Sequence, residues 1–162
     1  MTGLPNVSPF RHATLLVGCL VASFAPGMFG VRFQPGDWYA QLAKSPLTPP
    51  GWVFPIAWSA LYITIGVALY IMWVHTSWRE RRIPLAVFAI QLVLNGAWSW
   101  LFFGRHAVGA ALLEIGVLWI SIVAMAFAFA RHSRFAGKLL LPYLAWVSFA
   151  TYLNFEIWRA NA

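Results

Sequence analysis

Cysteine occurs once in this chain, at Cys19, and acidic side chains four times, at Asp37, Glu80, Glu114 and Glu156. A single thiol excludes an intramolecular disulfide and any thiolate metal cluster. No HExxH spacing and no hydrolytic triad pattern is present, which removes the commonest signatures of metal-assisted and nucleophilic hydrolysis. Internal repeats and low-complexity tracts are also absent, as is the alternating pattern of an outer-membrane barrel. Charge of both signs is scarce: 9% of the 162 residues are charged while 61% are hydrophobic, with a mean hydropathy of +0.72. That balance lies outside the range of soluble globular chains and places the protein in a lipid bilayer. The net charge of +7 does not argue for nucleic acid as a partner, because the 11 Lys and Arg punctuate apolar runs rather than forming a stripe.

What is present is a series of five apolar runs, at residues 13–31, 52–74, 83–104, 107–130 and 139–158. Each holds roughly 20 residues, enough at about 1.5 Å per residue to cross a hydrocarbon core of about 30 Å. Backbone groups in lipid must be satisfied within the segment, so the runs are read as helices. The fold expected is all-α, a five transmembrane helix bundle forming a single domain over 1–162. Arg11 and His12 ahead of the first run, with "SFA" before Pro26, resemble a signal peptide. The run continues past Ala25 to Val31, which favours a membrane helix. Arg11, Arg79, Arg81, Arg82, Arg131, Arg134 and Lys138 fall on one side of the spans, against Arg32, Lys44, Arg105 and Arg159 on the other. The positive-inside rule then puts the amino terminus inside and the 32–51 connection outside.

That connection is the longest, and it carries Pro46, Pro49 and Pro50. Fixed φ angles make it stiff. Pro55 sits near the start of the second helix, where a missing N–H has no intrahelical partner to lose. Trp38, Tyr39 and Trp52 suit an interfacial aromatic belt.

Polar and aromatic residues recur at helical spacing inside three runs. Gln91, Asn95, Trp98 or Ser99, and Phe102 share one face of helix three; Tyr143, Trp146, Ala150 and Asn154 share one of helix five. Phe54, Trp58 and Tyr62 recur every four residues in helix two. Amides are expensive against lipid and should face inward. Such faces are either the walls of a pocket for a rigid, flat, apolar ligand or plain helix packing with interhelical hydrogen bonds. The pattern alone leaves both readings open.

Four stretches, "WYAQLAKSPLTPP", "FPIAW", "QLVLNGAWS" and "LPYLAWVSFATYLN", taken in that order, resemble the translocator protein family, TspO/MBR, in its bacterial type. The resemblance covers nearly the whole chain. It implies a homodimeric five-helix bundle in the bacterial cell membrane, with a transport or sensory role. The ligands implied are porphyrins such as protoporphyrin IX or haem, sterols, and benzodiazepine or isoquinoline drugs, with no cofactor required. By the same resemblance loop 32–51 is a lid, in which Tyr39 and Pro50 close over the ligand. Trp58 and Tyr62, then Asn95, Trp98 and Ser99, then Tyr143, Trp146 and Ala150 form the pocket walls. Ala150 stands where a larger residue changes ligand affinity. Relatives are also credited with light- and oxygen-dependent porphyrin breakdown. In this chain that would draw on Trp58 and Trp146, an enzymatic alternative beside a third reading as a regulatory protein without obligatory ligand.

Two positions depart from the family pattern. Ser45 separates Lys44 from Pro46 where proline is expected directly after lysine. Phe155 stands where the cholesterol-recognition pattern carries tyrosine, and Tyr152 lies one residue too far from Arg159, which weakens the case for sterol binding through that motif. His12, His75, His106 and His132 all read as lying at or beyond helix ends, which leaves no metal site and no buried axial ligand for haem iron. Glu114 lies well inside helix four and must be inward, and either paired or protonated.

Overall fold

The computed structural model describes residues 9–161. Among the described residues five long helices form the bundle: α1 (Pro9–Gly30), α3 (Val53–Val74), α4 (Arg82–Ser99) extended by a π-helical turn (Trp100–Gly104), α5 (Val108–Ala130) and α7 (Leu141–Asn161). Two short helices, α2 (Asp37–Gln41) and α6 (Arg134–Lys138), sit in the connections. No strand occurs among the described residues. Four of the long helices, α1, α3, α4 with its π turn, and α5, are long and apolar enough to cross a membrane. The sequence suggested five. α7 has 21 residues, sufficient in length, but Asn154, Glu156, Arg159 and Asn161 dilute its apolar character.

The helix boundaries differ from those that charged residues mark in the sequence. α1 (Pro9–Gly30) already includes residues ahead of the expected start at 13, and His12 therefore lies within a helix, its Nδ1 2.9 Å from the Tyr70 hydroxyl. Residues 139–140 belong to the turn after α6, so the last helix runs over Leu141–Asn161 rather than 139–158. Loop 32–51 is not wholly irregular, because it contains α2. The outer ends of the expected single domain, 1–8 and 162, lie outside the described residues.

Packing divides the bundle into two halves. At one end Ile65, Met72, Ile122, Met125, Phe129 and Leu140 have no exposed surface or almost none and fill the interior. α1 approaches α3 closely there: a Cβ on Gly66 would lie 2.9 Å from the Leu20 Cα and from Ser23 Oγ. Ser23 Oγ uses that proximity to donate to the Tyr62 carbonyl at 2.7 Å, an interhelical bond of the kind that holds membrane helices together. Outward faces carry Val21, Ile63, Val93, Leu113 and Phe127, each about half exposed or more, a surface suited to lipid.

Candidate functional site

At the other end, beneath loop 32–51, the helices splay around a cavity of about 760 Å³. α1 contributes Phe24 and Gly27, and the glycine is required by close approach: a Cβ there would meet the Tyr62 ring at 2.7 Å. α3 supplies Phe54, Trp58 and Tyr62, with Trp58 and Tyr62 rings 5.5 Å apart. α4 supplies Asn95, Trp98 and Ser99, α5 Ile115 and Leu118, and α7 Trp146, Ala150 and Asn154.

The π turn re-aims the end of α4. One extra residue in the turn rotates the side chains beyond it, so that both Phe102 and Phe103 face the cavity. Trp98 stacks on Phe102 at 5.0 Å and 23°. From above, Tyr39 closes edge-on against Phe102 and Phe103, at 6.2 and 5.5 Å. Its neighbour Trp38 stacks flat on His106, 4.0 Å and 9°. His106 holds a φ of 52°, sparsely populated for a residue with a Cβ, and closes the turn between the π segment and α5.

The backbone of loop 32–51 is braced from within. Lys44 Nζ donates to the carbonyls of Tyr39 (2.6 Å), Leu42 (2.8 Å) and Ala40 (3.2 Å), capping α2, and sits 4.8 Å over the Tyr39 ring. Partial burial of the Tyr39 hydroxyl raises its pKa above the ordinary value.

Of the residues expected from sequence, Tyr39, Trp58, Tyr62, Asn95, Trp98, Ser99, Trp146 and Ala150 line the cavity. Two do not. Pro50 is exposed, and its neighbours Pro49 and Gly51 border the cavity instead. Tyr143 is fully buried behind the wall, where its hydroxyl accepts from Asn95 Nδ2 (2.7 Å) and Gln91 Nε2 (3.0 Å). Tyr62 donates to Asn95 Oδ1 at 3.2 Å, so one amide ties α3, α4 and α7 at the cavity floor. A second amide works alike: Asn154 accepts from Trp98 Nε1 and donates to the Val108 carbonyl, both at 3.0 Å. The α1 wall was missed by sequence reasoning, although Phe24, Gly27 and Val31 recur at helical spacing. Lys44, Thr48 and Phe103 were missed as wall residues because loop conformation and the π turn place them.

Among the described residues no cluster of three His, Cys, Asp or Glu could hold a metal ion. Both Glu114 oxygens are buried and have no hydrogen-bond partner among the described residues. Phe155 is partly exposed, and Tyr152 has its hydroxyl 3.3 Å from Ser45 Oγ in loop 32–51.

Membrane-length helices around a ligand-sized, ring-lined cavity define a class: multi-pass helical membrane proteins with an interior chamber. Residues 13–159 match the TspO/MBR family, and the chain belongs to it. It is 45% identical over 146 residues to the tryptophan-rich protein TspO of Chlorobaculum tepidum, covering 88% of this chain and 90% of the relative. It is also 37% identical to the tryptophan-rich sensory protein of Cereibacter sphaeroides, covering 91% of both. The bovine translocator protein shares 37% identity, with 90% of this chain and 89% of that protein covered.

Proposed function

We propose that this protein is a membrane receptor for porphyrins and related flat hydrophobic molecules, which it holds under the 32–51 lid for a sensory or transport purpose. The observation that carries the reading is the cavity of about 760 Å³ walled by Trp58, Trp98, Phe102 and Trp146 with a few oriented amides. Its size falls within the usual range of small-molecule pockets, and its walls offer ring faces and edges to a flat partner. Recognition then rests on stacking, shape and hydrogen bonds from Asn95 and Asn154 rather than on metal ligation. Sterols and aromatic drugs of comparable thickness fall within the same proposal. The names of relatives, one called sensory and another a translocator, favour a regulatory or transport role over hydrolytic chemistry.

α7 is the fifth span in this reading. Its length is about that of the hydrocarbon core, and its polar side chains Tyr143 and Asn154 bond inward to other helices. The amino terminus is cytoplasmic by the distribution of basic residues, the membrane is a bacterial cell membrane, and the assembly is a homodimer.

The test is a fluorescence titration of detergent-purified protein with protoporphyrin IX in the dark. Saturable quenching of the pocket tryptophans at one site per chain supports the receptor reading. Absence of saturation at micromolar porphyrin would remove it and leave the aromatic faces as packing. Absorbance during later illumination tells a receptor that holds the ring from a catalyst that destroys it.

A further inference from the structure

The lid is fastened at one point by a side chain that lies outside the cavity. Asn161, at the end of α7, meets the peptide unit of Ala43, 118 positions earlier, through both ends of its carboxamide. Its Oδ1 accepts from the Ala43 N–H at 3.0 Å, and its Nδ2 donates to the Ala43 carbonyl at 2.9 Å. This is the two-point pairing one strand offers another, made here by a side chain. The same Nδ2 also donates to the Ile157 carbonyl at 2.7 Å, which fixes the amide against its own helix.

What Asn161 grips is a rigid unit. Lys44 ties the carbonyls of Tyr39, Ala40 and Leu42 together, so a hold on Ala43 is a hold on Tyr39, whose ring closes over Phe102 and Phe103. A weaker tether runs parallel, from Tyr152 on α7 to Ser45. Both tethers join the lid to α7. Asn161 is not among the cavity walls, whereas Ile157 one turn earlier is.

We infer that the carboxy-terminal turn of α7 is the latch of the lid, with Asn161 as its positioning residue, and that it governs how long a ligand stays inside. The inference rests on the receptor reading for its ligand but not for its mechanics. A ligand enclosed by a lid leaves only from the open state, so weakening the latch raises the open population and the release rate. Contacts between ligand and walls are untouched.

The experiment reads lid opening and ligand release separately. In detergent or nanodiscs, hydrogen exchange of the full-length protein without ligand is compared for wild type, Asn161→Ala and Tyr152→Phe. Loss of two hydrogen bonds should lower protection of lid amides 40–47 by about tenfold in Asn161→Ala. The Tyr152→Phe effect should be smaller, and amides of α5 and of α7 before Ile157 should be unchanged. Asn161→Asp supplies a signature that mere fraying of the helix end does not. An ionised carboxylate can still accept from the Ala43 N–H but cannot donate to the Ala43 carbonyl and is repelled by it, so lid protection falls at pH 7. The protonated acid can both donate and accept, so protection, corrected for intrinsic exchange, returns as the pH falls below about 4. In stopped-flow displacement, bound protoporphyrin IX should leave Asn161→Ala about tenfold faster, with entry changed less.

Unchanged lid protection in Asn161→Ala, or loss spread equally through α7, overturns the latch. Faster lid exchange in a protein that binds no porphyrin upholds the latch and overturns the receptor reading. Faster lid exchange with bound porphyrin released at the wild-type rate overturns the claim that the latch controls residence.

Discussion

The Asn95 amide stands 2.7 Å from the Tyr143 hydroxyl, and this contact joins the cavity floor to a residue that never touches the cavity. Gln91 donates to the same hydroxyl, so one phenol oxygen satisfies two buried amide donors. Tyr143→Phe keeps the ring and its packing but leaves both donors without an acceptor. The variant should lose about 2 kcal/mol of stability, read as a lowered Tm in detergent, because an unmet buried donor costs more than the bond contributed. A Tm equal to wild type would mean the amides find other partners.

Ala150 is the small residue of the α7 wall. Ala150→Leu adds three carbons to a surface that faces empty volume, so folding should be little affected while a flat ligand loses its room. Protoporphyrin IX should bind about tenfold more weakly or worse, with Tm within a few degrees of wild type. Trp146→Phe, which keeps an aromatic face at the same wall, should weaken binding less than Ala150→Leu does.

Gly137 lets α6 lie on α5. A Cβ built there would stand 2.6 Å from the Ala130 Cβ and 2.9 Å from the Ala126 carbonyl oxygen, both on an unyielding helix. Gly137→Ala should cost about 1–3 kcal/mol through displacement of the α5–α7 connection. Porphyrin affinity, measured well below the lowered Tm, should stay close to wild type, because the clash is at the end of the bundle away from the cavity.

In the α3–α4 connection, Glu80 accepts from the Ser77 N–H at 2.8 Å. Hydrogen bonds from Ser77, side chain first and then backbone, hold the Glu80 carboxyl below the usual carboxylate range. A depressed folded-state value means the turn is favoured above the ordinary glutamate pKa and loses that support as pH falls through the folded value. Exchange of the Ser77 amide, corrected for intrinsic rate, should therefore rise on acidification. In Glu80→Gln it should be insensitive to pH over the same window. A wild-type amide that ignores acid would show that the contact carries no weight.

Membrane helices were readable from composition and spacing. A chain with so few charges and runs of roughly 20 apolar residues has to form membrane-length helices, because lipid offers the backbone no other partners. Polar side chains within such runs must turn inward. For that reason Asn95, Trp98, Trp146 and Ala150 could be placed on inward faces by period, while their assignment to a pocket wall came from the family resemblance; the structure lines its cavity with all four.

Other features depended on contacts between residues remote in sequence. Tyr143 shares the period of the wall residues but lies behind them, since periodicity gives a direction and not a depth. Pro50 yielded its expected place to Pro49 and Gly51 because loop conformation has no period to read. The π turn brought in Phe103 through a single extra residue that no pattern announced. His12 proved to lie within α1, because a helix does not stop where charge begins if Tyr70 is there to receive it. The sequence alone thus determined membrane helices with inward polar stripes, through the cost of polar groups in lipid. Only the tertiary structure decided which stripes meet around empty space, and that Asn161 reaches back 118 residues to hold the lid, because pairings at that range follow from packing.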